Sequence, residues 1–298
     1  VLAIFLPQFI NRTVGAVGWS ARLDQGALED RYYVALPAGI AQRLEGAFAP
    51  AEHPPEDATR VLPGDTYQVT FYDLRGPEDA WRGLGAALSS QTDIASAVVI
   101  TPALEAMVKP LGIENPREFL RACGVEVAAA RLEATSEHKV LVASVRDATA
   151  LRAQALAHLG RGARVERVGT AELLISTDED RGAAAFVDGF LLMGSEDDVR
   201  RCLRSHAEEG GGDDMLQAAT ASFKGRAAFA RSLADERDSA RAVLSHFARR
   251  ADASKVEAAL ARHRYAVSET LVASGGFEKR TRSAFGLFGE IVTRTAPR

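Results

Sequence analysis

Cys202 and His206 have a spacing at which two side chains could share a metal. They lie four positions apart, which places them on one face of a helix. Zinc takes three or four protein ligands, however, and the chain has no CxxC, no HExxH and no other Cys/His cluster. A packed cysteine beside a partly exposed histidine is therefore the better interpretation.

Acidic residues cluster at three places, and each could in principle hold a cation. Glu196, Asp197 and Asp198 follow Ser195, so they fit the first turn of a helix that Ser195 caps. The stretches 177–180 and 210–214 lack the Asp-x-Asp-x-Asp-Gly order of a calcium loop. We interpret the first group as helix capping and the other two as solvated turns.

Signatures of catalysis are missing from the sequence. There is no GxxxxGK[ST] loop, no GxGxxG after a strand, and the stretch from Gly18 to Ala21 lacks the closing glycine of a nucleophile elbow. The sequence therefore assigns no catalytic residue, no cofactor and no metal, and it favours a non-enzymatic protein. A hydrolase using carboxylates is the alternative, which a pocket lined by Asp or Glu with shifted pKa would favour.

Basic and aromatic residues are candidates for binding surfaces. Lys279, Arg280 and Arg282 lie on a predicted final strand, where they could bind an anion or keep an exposed edge from aggregating; we prefer the second. A net charge of −4 argues against nucleic acid. The aromatic residues are too dispersed to predict a stacking platform: Trp19, Trp81, Tyr32 and Tyr33.

The stretch from Ala171 to His206 is the clearest fold signal. Asp188-Gly189, between two apolar runs, predicts a hairpin with a type I′ turn. The second run, 190–193, is continuously apolar, as expected of a strand covered on both faces. Val199, Cys202 and Leu203 then follow at helical spacing.

Other elements follow from the same patterns. Strands are predicted at 67–74, 125–132, 140–145, 164–168, 265–273 and 277–283, and helices at 77–89, 116–123 and 147–159. Residues 11–50 and 215–244 are predicted to be mostly helical, the first with a stripe of Leu36, Ile40, Leu44 and Phe48.

The order of these elements predicts an α+β fold, because the strands cluster rather than alternate with helices. We expect a mixed, largely antiparallel sheet with helices packed on it, an N-terminal helical stalk and a C-terminal helix–hairpin region. A proline-rich break at 50–66 and a glycine run at 210–212 place the boundaries. The predicted units are 1–60, 61–209 and 210–298, the last packed on the core.

Two features bear on compartment. Val1–Ile10 is rich in apolar residues and has no charge. We interpret it as the end of a truncated signal anchor or of an uncleaved signal peptide, with a buried terminal segment as the alternative. Cys123 and Cys202 could form one disulfide in an oxidising compartment or remain two buried thiols.

Several stretches together resemble a loose bacterial family of envelope proteins, catalogued as a domain of unknown function with an N-terminal membrane segment. The resemblance spans roughly residues 60–290 and lies in five stretches: Leu62-Pro-Gly-Asp-Thr66, Ile113–Leu120, Gly124–Ala128, Ala183–Ser195 and Glu278–Gly286. It implies an extracytoplasmic, membrane-anchored domain. Its partner would be an envelope protein, a peptide or a cell-wall component; a soluble cytoplasmic scaffold is the other alternative.

Overall fold

The computed structural model describes residues 14–24, 27–52, 57–90, 94–209, 219, 228–238, 240–241, 243, 265–273 and 275–287. Val1–Ile10, the residues 210–214, and Phe223 and Ala227 lie outside the described residues. Within them, twelve strands form one sheet, in the order β1-β2-β12-β11-β10-β3-β4-β5-β9-β8-β7-β6, and every pairing is antiparallel.

The strands are β1 Ala16–Asp24, β2 Ala27–Ala35, β3 Gln68–Asp73, β4 Cys123–Arg131, β5 Val140–Val145, β6 Arg164–Val168, β7 Ala171–Ile175, β8 Ala183–Val187, β9 Phe190–Gly194, β10 Ala230–Asp235, β11 Tyr265–Ala273 and β12 Gly276–Ser283. The helices are α1 Ala38–Ala47, α2 Pro77–Ser89, α3 Ile94–Val108, α4 Pro116–Ala122, α5 Ala148–Leu159 and α6 Glu196–Glu209. A 3₁₀ turn at Ala58–Val61 precedes β3. The predicted α+β class is confirmed.

Helices cover both faces of the central strands. α4 and α5 pack on one face, where Leu141, Leu174 and Leu191 lie in their cluster. α6 and the 3₁₀ turn pack on the other face, over residues such as Val142 and Leu192. Successive strand residues therefore enter opposite cores, which is why 190–193 can be apolar throughout.

Helix caps and a tight turn define the predicted elements in this part of the chain. Asp147 accepts the Ala150 N–H and caps α5, while Asn115 does the same for α4 through Glu118 N–H. Asp188 and Gly189 both have positive φ, as a type I′ turn requires. Ser195 accepts the Asp198 N–H at the start of α6.

The predicted N-terminal helical stalk is wrong for the described residues 16–35, which form the β1–β2 hairpin. The helical stripe is present only from Ala38 onward, where Ile40 and Leu44 are buried in α1. Residues 230–235 are also strand, not helix, because β10 fills the gap between β3 and β11. Burial between two neighbouring strands outweighs local helix propensity at such positions.

The predicted separate C-terminal helix–hairpin region is not supported. β11 and β12 pair with each other, but they are also flanked by β10 and β2 and so lie inside the single sheet. Strands on both sides of the predicted boundaries at 60/61 and 209/210 share that sheet.

Candidate functional site

The structure engages Cys202 and His206 in separate contacts. Cys202 lies on α6 and is fully buried in the core that this helix covers. His206 instead lies with Nδ1 2.9 Å from the Arg60 carbonyl oxygen and Nε2 3.0 Å from Asp188 Oδ2. No group of three His, Cys, Asp or Glu side chains suited to a metal occurs among the described residues. His206 thus joins α6, the 3₁₀ turn and the β8–β9 hairpin.

The described acidic clusters are engaged in local contacts. Glu196 accepts from Arg200 at 2.7 Å, and Asp198 accepts from Ser195 Oγ at 2.7 Å. Asp178 caps a short 3₁₀ turn through the Asp180 N–H. These contacts agree with the capping interpretation.

The basic residues of β12 do not form an edge. β2 and β11 flank β12, so the prediction of an exposed edge strand is wrong. Lys279 points to one face of the sheet and Arg280 and Arg282 to the other, since strand side chains alternate. Arg280 contacts Glu278 on the same strand.

Asp73 and Glu126 form a buried carboxylate pair that sequence reasoning missed. They face each other in register across β3 and β4, and they are only 4% and 2% exposed. Arg231 donates to Asp73 Oδ2 through Nε at 2.7 Å and also through Nη2. Asp73 Oδ1 has no hydrogen-bond partner among the residues that the structure describes. The alternation of side chains along β3 could have revealed Asp73, because residue 73 lies on the same inward side of the strand as Val69 and Phe71.

The environment of Glu126 favours its protonated form. The pKa of Glu126 is raised to about 7. Burial is the largest cause, the nearby Asp73 and Asp57 add to it, and the Ala58 N–H and Arg231 act in the opposite direction. Both Glu126 oxygens accept from Ala58 N, at 3.1 and 3.2 Å. Burial also raises the pKa of Asp73, which Arg231 partly offsets.

A carboxyl with a pKa near 7 can exchange a proton at neutral pH, as a general acid or base does. Substrate contact needs exposed reacting atoms, however, and both side chains are almost completely covered. Two shallow clefts of about 400 and 410 Å³ share Asp65 and Arg201, and neither is lined by Asp73 or Glu126. The pair therefore ties β3, β4, β10 and the 3₁₀ turn together.

Among the described residues, three of the six exposed large hydrophobic side chains lie on β1. Val17, Trp19 and Leu23 are 68%, 54% and 75% exposed and share one face of the strand. Trp19 stands opposite Tyr32 in the β1–β2 register, and its Nε1 donates to Asp30 Oδ1 at 3.1 Å. The structure thus brings together aromatic residues that looked dispersed in sequence.

The direction of the backbone groups on β1 follows from the pairing of β2 with β12. Leu36 N donates to Gly275 O, so residue 35 and every second residue before it direct their backbone groups toward β1. On β1, the even-numbered residues then bond to β2. The odd-numbered residues 17, 19, 21 and 23 direct N–H and C=O to the outer side, where no described strand pairs.

β6, at the opposite edge of the sheet, is shorter than β1 and more highly charged. β6 has five residues, three of them charged: Arg164, Glu166 and Arg167. Short length and charge are the usual protections against strand addition. β1 has nine residues, and among its outward odd-numbered positions none is charged. Among the described strands, β1 is therefore the sheet edge that lacks these protections.

Within the described part of the chain, no helix combines the length and apolarity needed to cross a bilayer. Comparison of the chain with protein-family models, with curated proteins and with solved structures gives no match.

Proposed function

We propose that the chain is a non-enzymatic, extracytoplasmic domain of a membrane-anchored bacterial envelope protein, and that it binds a polypeptide by strand addition to β1. The observation that carries the binding role is the open β1 edge with its exposed stripe of Val17, Trp19 and Leu23. The envelope assignment is supported by the apolar Val1–Ile10 and by the family resemblance.

Strand addition uses the outward backbone groups of β1 and its exposed apolar side chains. The backbone groups of residues 17, 19, 21 and 23 offer four donors and four acceptors along the outer side. Main-chain hydrogen bonds supply affinity in this mode, and the alternate side chains supply specificity. Of the partner classes left open by the sequence, an envelope protein or peptide fits this mode, because a cell-wall glycan has no peptide backbone to pair.

Photo-crosslinking in the native host tests the binding role. A benzophenone amino acid placed at Trp19 of the full-length protein should give a protease-sensitive adduct. The matched control is Val165 on β6, which is 58% exposed at the protected edge and should give none. Equal crosslinking at both positions, or none at position 19, contradicts the proposal.

Cell fractionation of the full-length gene product tests the compartment. We expect recovery with the envelope, with the domain accessible to protease only after the outer layers are opened. Recovery in the cytosol alone would support the scaffold alternative instead.

A hydrolase built on Asp73 and Glu126 is the second candidate, since a pKa of about 7 on Glu126 suits acid–base catalysis. Burial of both side chains weighs against it. Turnover of chromogenic ester, phosphate or glycoside substrates by the native chain, lost in Glu126→Gln, would replace the binding proposal.

A further inference from the structure

We infer that the strand added to β1 is the β1 strand of a second copy of this chain, paired antiparallel about a twofold axis at Ser20. This inference rests on the proposed use of β1 for strand addition. The sheet would then continue from one subunit into the other.

The hydrogen-bonding pattern fits this register. With the axis at Ser20, Val17 faces Leu23 of the partner subunit, and Trp19 faces the partner's Ala21. These are the odd-numbered positions whose backbone groups point outward, so all four residues on each strand form hydrogen-bonded pairs. The two Ser20 residues then form a non-hydrogen-bonded pair on the axis.

The side chains are complementary in the same register. The exposed apolar stripe meets its own copy on one face, and the large Trp19 lies beside the small Ala21 of the partner subunit. Cross-strand apolar pairs of this kind stabilise antiparallel sheets. An unrelated peptide would have to supply such a pattern, whereas β1 carries its own complement.

Charge does not oppose the pairing. Arg22 faces the partner's Gly18, and Asp24 faces the partner's Ala16, so no like charges stand opposite each other. Arg22 already binds Glu29 of its own subunit at 2.8 Å. The contrast with the charged β6 edge explains why a pairing of copies would use β1.

Sedimentation of the whole chain tests the inference first. We expect a dimer for the native chain and a monomer for Ala21→Pro. The dissociation constant of the dimer should rise at least about tenfold in the variant. Proline at position 21 removes an outward N–H and leaves the bonds to β2 in place, as edge strands tolerate. A native monomer, or an Ala21→Pro dimer as stable as the native one, overturns the inference.

Disulfide trapping tests the register. Ser20→Cys should form an intermolecular disulfide on mild oxidation, because the Cα atoms of a non-hydrogen-bonded pair lie about 4.5 Å apart, within disulfide range. The matched control is Arg22→Cys, which is also exposed and lies on the same face. Its two copies would lie four residues apart along the strand, roughly 13 Å, and should not crosslink.

The two proposals fail differently. A monomer without a Ser20→Cys crosslink, together with a crosslinked foreign protein at position 19, overturns the second copy and leaves strand addition intact. Crosslinking that does not distinguish position 19 from position 165 overturns both.

Discussion

Asp73 lies directly opposite Glu126 across the β3–β4 pair, and Arg231 donates two hydrogen bonds to one oxygen of Asp73. The guanidinium therefore stabilises the negative charge of Asp73 most directly, while the largest effect on the pKa of Glu126 is burial. Glu126 is the partner of the pair that should hold a proton near neutral pH.

The stability of the protein should fall as the pH rises from about 4.5 to about 7. The folded pKa of Glu126 is about 7, above its ordinary value of 4.5, so the folded state binds more protons than the unfolded state in this window. The free energy of unfolding should drop by up to about 3 kcal/mol and level off above it. Urea unfolding at pH 5 and pH 8 measures the difference.

Glu126→Gln is the control for this pH dependence. Its amide oxygen can still accept the Ala58 N–H, but the side chain cannot ionise. The variant should lose most of the slope and exceed the native chain in stability at pH 8. A small slope should remain, because the pKa of Asp73 is also raised. An unchanged slope in the variant would contradict the assignment to Glu126.

Both cysteines should be unreactive in the native protein. Cys123 lies in the core beneath α4 and α5, whereas Cys202 is a residue of α6 and is buried in the core on the other face of the sheet. Burial raises the pKa of each thiol to about 12. A thiol reagent should therefore modify neither residue without denaturant and both in urea, and mass spectrometry of the purified chain should show no disulfide. Prompt labelling of either residue in the folded chain would contradict this arrangement.

The segments predicted correctly carry local signals strong enough to define them. The Asp147 cap and inward Leu151 fix α5, and Asp188-Gly189 fixes the β8–β9 turn. Turn chemistry and caps act over a few residues, so the sequence shows them directly.

The errors concern pairings between distant segments. β1 is exposed on both faces, so it has no inward–outward alternation to read. β12 carries charges typical of an edge, but β2, far earlier in the chain, pairs with it. The Asp73–Glu126 pair and the open β1 edge likewise depend on strand order, which local periodicity does not encode.

Gly182→Ala should be far more damaging than Gly169→Ala. Both glycines have positive φ, 67° and 60°. A Cβ at 182 would collide with the backbone of Gly194 on β9, whereas one at 169 meets nothing within 4 Å. Gly169→Ala, in an exposed turn, should lower the free energy of unfolding by about 1 kcal/mol through backbone strain. Gly182→Ala, at a buried position, should lower it by at least about 3 kcal/mol. Thermal or urea unfolding of the two variants measures this; equal losses would show that strain alone matters.

The contact between His206 and Asp188 should couple α6 to the β8–β9 hairpin. His206→Ala removes the contacts with both Asp188 and the Arg60 carbonyl, and should cost about 1–2 kcal/mol. Asp188→Asn keeps a residue that tolerates the positive φ of 45° and removes only the charge.

A double-mutant cycle with these two substitutions isolates the contact between His206 and Asp188. Because Asp188 is half exposed, the coupling should be below about 1 kcal/mol, and it should shrink further in high salt. The larger part of the His206→Ala loss should persist in the Asp188→Asn background, since the Arg60 carbonyl is present there too. If the loss instead disappears in that background, His206 acts through Asp188 alone, and the 3₁₀ turn at Ala58–Val61 is held by its other contacts.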